Sequence, residues 1–112
     1  MTGKELAKWL ASNGFKKDEH VDTEVGNWCT EVHDVTIWTI DQRKGMFGTK
    51  GRYIRLDLIK NKTTKNKDGK LIHRSNYWSV YAKGKGYEVN NKISYKVPST
   101  HDIETIMKIV GF

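Results

Sequence analysis

Arg52-Tyr53-Ile54-Arg55-Leu56-Asp57-Leu58 and Tyr77-Trp78-Ser79-Val80-Tyr81-Ala82-Lys83 decide the fold of this 112-residue chain. Both alternate with a period of two, the pattern of a strand with one buried face. Ile54, Leu56 and Leu58 share a face of the first; Trp78, Val80 and Ala82 share a face of the second. Lys67-Asp68-Gly69 lies between them and offers two turns. A two-residue Asp68-Gly69 turn pairs residue 67 with 70 and sets Leu58 against Ser79, mixing the faces. A three-residue loop with Gly69 left-handed pairs 66 with 70. It sets Leu58 opposite Trp78, Leu56 opposite Val80 and Ile54 opposite Ala82. A one-residue slip turns every side chain to the other face, so the apolar match selects the three-residue loop.

Outward from this hairpin, Gly84-Lys85-Gly86 is the next turn signal. Residues 87–97 then alternate Tyr87, Val89, Ile93, Tyr95 and Val97 against polar neighbours, with Asn90-Asn91 offering a turn inside the run. Pro98 ends the strand. Ser99 caps a helix with Asp102 in its first turn, an apolar stripe of Ile103, Ile106, Met107 and Val110, and Gly111 as its stop. At the other end, Thr2-Gly3-Lys4-Glu5 fits a capping box, and Leu6, Trp9 and Leu10 recur at helical spacing. Asn13-Gly14 closes a helix over 3–13, with Phe15 folding back on it. Residues 16–20 read as loop and Val21–Val25 as a short strand. Residues 27–41 are rich in β-branched and aromatic residues, and a change of phase between Val32 and Val35 predicts a bulge near His33-Asp34. Residues 42–51 set Gly45, Gly48 and Gly51 among Arg43, Lys44 and Lys50. They read as a mobile basic connector; the spacing of a Walker motif is missing.

The expected architecture is one α+β domain over residues 1–112. It comprises an N-terminal helix, an antiparallel sheet of four to five strands with a long basic hairpin, and a C-terminal helix. The expected core is Trp9, Leu56, Trp78, Val80, Ile103, Ile106 and Val110. A hydrophobic content of 37% argues against disorder. The lone Cys29 excludes an internal disulfide framework. Met1 leads into Lys4, Glu5 and Lys8 without an apolar leader, and no apolar run reaches membrane-spanning length. A cytoplasmic protein with no membrane partner is expected.

Charge carries the functional signal. Residues 1–41 hold 4 Lys/Arg against 8 Asp/Glu, a net −4; residues 42–98 hold 15 against 3, a net +12; residues 99–112 hold 1 against 2. A basic middle between acidic ends steers anionic partners toward that middle. In the selected register the face opposite the core gathers Tyr53, Arg55, Tyr77, Tyr81 and Lys83. Aromatic rings among cations are what a sheet offers to unstacked bases. The alternative is that a helix or a second subunit covers this face. The hairpin tip adds Lys60, Lys62, Lys65, Lys67, Lys70 and Arg74 against Asp68 alone. It suits a phosphate backbone, or serves as a solvated edge guard.

Asp18, Glu19, Asp22 and Glu24 around His20 lack the glycine and the order of a calcium loop, and read as a solvated acidic turn. Cys29 and His33 share a strand, but structural zinc needs four ligands, and nothing local supports a Cys/His nucleophile pair. No enzyme activity, cofactor or metal is expected. The leading expectation is a non-enzymatic nucleic-acid-binding protein. The alternatives are an inhibitor or adaptor that binds an acidic surface of a host protein or nucleoprotein, and a self-associating structural protein.

The helix–sheet–helix order is similar in outline to a double-stranded-RNA-binding domain. That family places a lysine cluster at the start of its last helix, where this chain has Ser99-Thr100-His101-Asp102. A dense basic hairpin in a chain of this size also resembles small phage and mobile-element proteins, among them inhibitors of host defence nucleoproteins.

Overall fold

The computed structural model describes residues 2–46, 50–66, 76–94 and 97–112, with the backbone alone for 61–66 and 92–94. The order is α1 (Gly3–Ser12), β1 (Lys16–Val25), β2 (Cys29–Asp41), β3 (Tyr53–Asn66), β4 (Asn76–Gly84), β5 (Tyr87–Ser94) and α2 (Thr100–Val110). The strands form one antiparallel meander in the order β1-β2-β3-β4-β5. The α+β expectation holds, with five strands.

Both helices begin as their caps dictate. Thr2 Oγ1 accepts from the Glu5 amide at 3.1 Å, and Ser99 Oγ accepts from the Asp102 amide at 3.1 Å. Phe15 folds back on α1, its amide donating to the Leu10 carbonyl at 3.1 Å. At the far end Gly111 is left-handed, and the Phe112 amide donates to the Met107 carbonyl at 2.8 Å. Lys85 and Gly86 both take positive φ, 52° and 79°, so a two-residue turn joins β4 to β5.

The β3–β4 register is the one the apolar match selects. Leu56 lies opposite Val80, Leu58 opposite Trp78 and Ile54 opposite Ala82. The loop expected at Lys67-Asp68-Gly69 lies outside the described residues. Both helices pack on the face that carries these residues. Leu6, Leu10, Phe15, Trp38, Ile54, Leu56, Trp78, Val80, Ala82, Ile103 and Val110 form one buried cluster. Trp9 and Ile106 were expected within it; they are half-buried at its margin. Ile103 and Val110 are buried on α2 as expected.

Three expectations need correction. Residues 16–25 are one continuous strand, not a loop followed by a short strand, because pairing with β2 overrides the polar local sequence. Asn90-Asn91 does not turn, since both residues keep their ladder partners Tyr81 and Val80. The bulge beside His33 falls on the opposite strand: Val32 pairs with Thr63 and His33 with Asn61, leaving Lys62 unopposed on β3. Strand β2 therefore keeps its phase, and Val35 differs from Trp38 because it lies on the other face, between His20 and Ile59.

Candidate nucleic-acid interface

Alternation along the ladders gives the second sheet face its composition. It carries Tyr53, Arg55, Asp57 and Ile59 of β3, Tyr77, Ser79, Tyr81 and Lys83 of β4, and Glu31, His33, Val35, Ile37 and Thr39 of β2. Among the described residues no helix covers it, because α1 and α2 both pack on the other side.

At the end nearest the 42–52 connector, a cluster of rings and cations assembles. The Tyr53 and Tyr81 rings meet edge to face, their centroids 5.8 Å apart. The Arg43 guanidinium lies 4.2 Å from the Tyr53 ring centre. Asp41 holds it there with two hydrogen bonds, Arg43 Nε to Oδ1 at 2.9 Å and Nη2 to Oδ2 at 2.8 Å. The same bonds draw the Asp41 carboxyl down to about 2. Arg55 is opposite Tyr81, and exposed Lys83 is opposite Tyr53. Arg43, Tyr53, Arg55, Tyr81 and Asn90, with Asp57 among them, bound a shallow hollow of about 450 Å³. A second, of about 300 Å³, shares Arg43 and extends to Lys83 and Lys85.

Of the remaining expected site residues, Tyr77 and Lys60 are described with their side chains and do not join this cluster. Tyr77 shares its face but stands four residues from Tyr81, roughly 13 Å along the strand. Burial, then the charges of Glu24, Asp57 and Glu31, push its phenol pKa up, so it belongs to the acidic half of the face. Lys60 falls on the helix-bearing side, beside Leu58 and Trp78. Lys62 and Lys65 are placed in β3 by their backbone. Lys67, Lys70 and Arg74 lie outside the described residues.

Arg43 is the member that sequence reasoning missed, because a glycine-rich stretch read as a connector. Its position follows from the β2–β3 register: Asp41 opposes Tyr53, and the Gln42 amide continues the ladder to the Arg52 carbonyl at 2.9 Å. Fixing that register from sequence needed the pairing of Trp38 with Leu56 and of Ile40 with Ile54.

Asp57 is the buried charge on this face, 8% exposed, with Arg55 Nη2 donating to Oδ2 at 2.9 Å. Desolvation outweighs the pull of Arg55, so its carboxyl pKa is raised above the ordinary 3.8. A raised folded-state pKa means that the native protein holds the proton more tightly than the unfolded chain. The stability this contributes is complete below 3.8 and is lost as pH rises through the raised value. Asp57→Asn should therefore gain on the native protein as pH rises through that window and hold the gain at pH 7. Urea midpoints below and above the window measure it; a deficit that deepens with pH would show the Arg55 pair outweighing desolvation.

The acidic half lies along β1 and the start of β2. His20 is 3.5 Å from both Asp18 and Asp22, and His33 Nε2 is 3.1 Å from Glu31. Glu24, Glu31 and His33 bring their ligating atoms within 4.8 Å of one another. Cys29 and His33, four residues apart on one strand, are separated by about 13 Å, too far for a nucleophile and its base.

Fold and face together define a two-layer α+β protein whose antiparallel sheet has one face under helices and one open, with an aromatic cluster and its arginines, two of them paired to Asp41 and Asp57, at the connector end and an acidic stretch along β1 and the start of β2. No protein family, curated protein or solved structure matches the chain.

Proposed function

We propose that this protein is a non-enzymatic nucleic-acid-binding module that seats a single strand on the basic-aromatic half of its open sheet face. The observation that supports this most is the Arg43–Tyr53–Tyr81 cluster on a face no described helix covers. Tyr81 and Tyr53 offer ring faces and edges to bases, and Arg43, Arg55 and Lys83 supply cations for phosphates. Asn90, on the neighbouring strand, adds hydrogen-bonding capacity for a base edge. The acidic half bounds the site, because carboxylates along β1 repel a phosphate chain. A strand therefore runs across the connector end of the sheet, toward Lys83 and Lys85, and not along β3 toward Tyr77. A cytoplasmic location belongs to the same proposal, in keeping with the free thiol of Cys29.

Fluorescence anisotropy with short labelled oligonucleotides at two salt concentrations tests this reading. Tyr81→Ala should weaken single-strand binding by about 1–3 kcal/mol while leaving the salt slope nearly unchanged. Arg43→Gln with Lys83→Gln should flatten that slope by about 0.7 for each phosphate no longer neutralised. Wild-type protein that binds neither DNA nor RNA at low salt removes the proposal. The basic middle of the sequence then serves the second reading, an inhibitor or adaptor of the phage or mobile-element kind that binds an acidic protein or nucleoprotein surface.

A further inference from the structure

Strand β1 is an edge of the sheet, and among the described residues nothing pairs with its outer side. Edge strands are normally kept short or protected by proline, by a bulge or by lysines, since their free backbone groups recruit other chains. β1 is protected by charge alone: six of its ten residues are charged, four of them carboxylates, which deters an acidic or apolar strand and leaves the edge open to a basic one. It runs for ten residues in unbroken register with β2, contains no proline, and carries its lysines, Lys16 and Lys17, at one end only. All ten residues are exposed.

The hydrogen-bond phase tells which residues offer backbone to a partner. The Gly26 amide donates to the Cys29 carbonyl at 2.8 Å, which marks 26/29 as a hydrogen-bonded pair. Such pairs alternate along an antiparallel ladder. Asp18, His20, Asp22 and Glu24 therefore bond inward to β2, and Glu19, Val21, Thr23 and Val25 aim their N–H and C=O groups away from the sheet. Side chains alternate as well. Asp18, Asp22 and Glu24 line the open-face side of this edge, while Val21, Thr23 and Val25 line the helix-bearing side, with Val21 58% and Val25 80% exposed. The hairpin ends in Trp28, 79% exposed.

We infer that β1 is a docking edge for an extended segment of a basic protein partner, which adds a sixth strand to the sheet. Backbone bonds to Val21, Thr23 and Val25 supply affinity, and side-chain alternation supplies selectivity. The recognised segment alternates too: Lys or Arg over Asp18, Asp22 and Glu24 on one side, and apolar residues over Val21 and Val25 on the other. Charge disfavours a second copy of β1 as the occupant, because antiparallel self-pairing about Val21 or Thr23 sets Asp18 or Asp22 opposite Glu24. The edge is separate from the Tyr53–Tyr81 cluster, so the inference stands or falls independently of the nucleic-acid proposal.

The probe is a short synthetic peptide alternating lysine and valine, titrated into the full chain, with the same peptide N-methylated at alternate residues as the control. The wild type should bind the first and not the second, with amide shifts concentrated in 19–25. Thr23→Pro removes an outward N–H without touching the β1–β2 ladder, and should weaken binding roughly tenfold, the loss of one backbone bond plus a steric block. Asp22→Lys with Glu24→Lys should weaken it further. Equal binding of the N-methylated peptide overturns the inference, whether or not the proline variant folds, because it leaves charge alone as the attraction. So does a wild-type dimer, seen by sedimentation without peptide, that Thr23→Pro dissociates; the edge would then belong to a second copy.

Discussion

Leu56→Ala should destabilise the protein by about 2–5 kcal/mol, toward the upper part of that range. Leu56 is 0% exposed and sits at the centre of the sheet, flanked by Trp38 on β2 and Val80 on β4. Both neighbouring strands are hydrogen-bonded to β3, and the helices close the layer above, so little can relax into the cavity. A domain of this size commands about 5–15 kcal/mol in total, so the loss is a large share. Leu56→Met, which conserves volume, should cost less than about 1.5 kcal/mol. Urea denaturation of the three proteins measures both. A Leu56→Ala loss within about 0.5 kcal/mol, the range of surface substitutions, would mean that the position is not sealed.

Gly84→Ala should undock the end of α2. A Cβ at this buried glycine would collide with the backbone carbonyl of Val110, the last residue of α2, and would stand 3.2 Å from Arg52 Cβ. Backbone cannot step aside as a flexible side chain does. Either the helix end or the Lys85-Gly86 turn must shift, for about 1–3 kcal/mol or more. Hydrogen exchange should report the change as reduced protection at the C-terminal turn of α2, where the Phe112 amide bonds Met107. Gly3→Ala is the control, since its Cβ would meet nothing within 4 Å. Unchanged exchange at Phe112 in Gly84→Ala would contradict this view of how α2 docks.

The helices, the hairpin register and most of the core were legible because each rests on a local rule that tertiary packing reinforces. Thr2 and Ser99 cap where caps are expected, and Leu56 can meet Val80 only in one register. Strand β1 was not legible. Its polar sequence, Lys16 to Glu24, has no apolar face to bury, and only the ladder to β2 makes it a strand. The bulge was misplaced for a related reason. A phase change in β2 reads equally as an extra residue or as two buried faces, and here Val35, 6% exposed on the open face, is the second case. The candidate site was half legible. Tyr53, Arg55, Tyr81 and Lys83 follow from one hairpin. Lys60 falls on the core side by the same alternation, but separating Tyr77 from them, and adding Arg43, needed the β2–β3 and β1–β2 registers, which no turn motif specifies.

The most direct test of the open-face proposal is an amide chemical-shift map of the isotope-labelled protein titrated with a short single-stranded oligonucleotide at low salt. The proposal predicts shifts at Arg43, Tyr53, Arg55, Tyr81, Lys83 and Asn90, with residues 18–25 of β1 and the exposed face of α2 unmoved. Shifts concentrated on α2 or on β1, or none at saturating oligonucleotide, would contradict it.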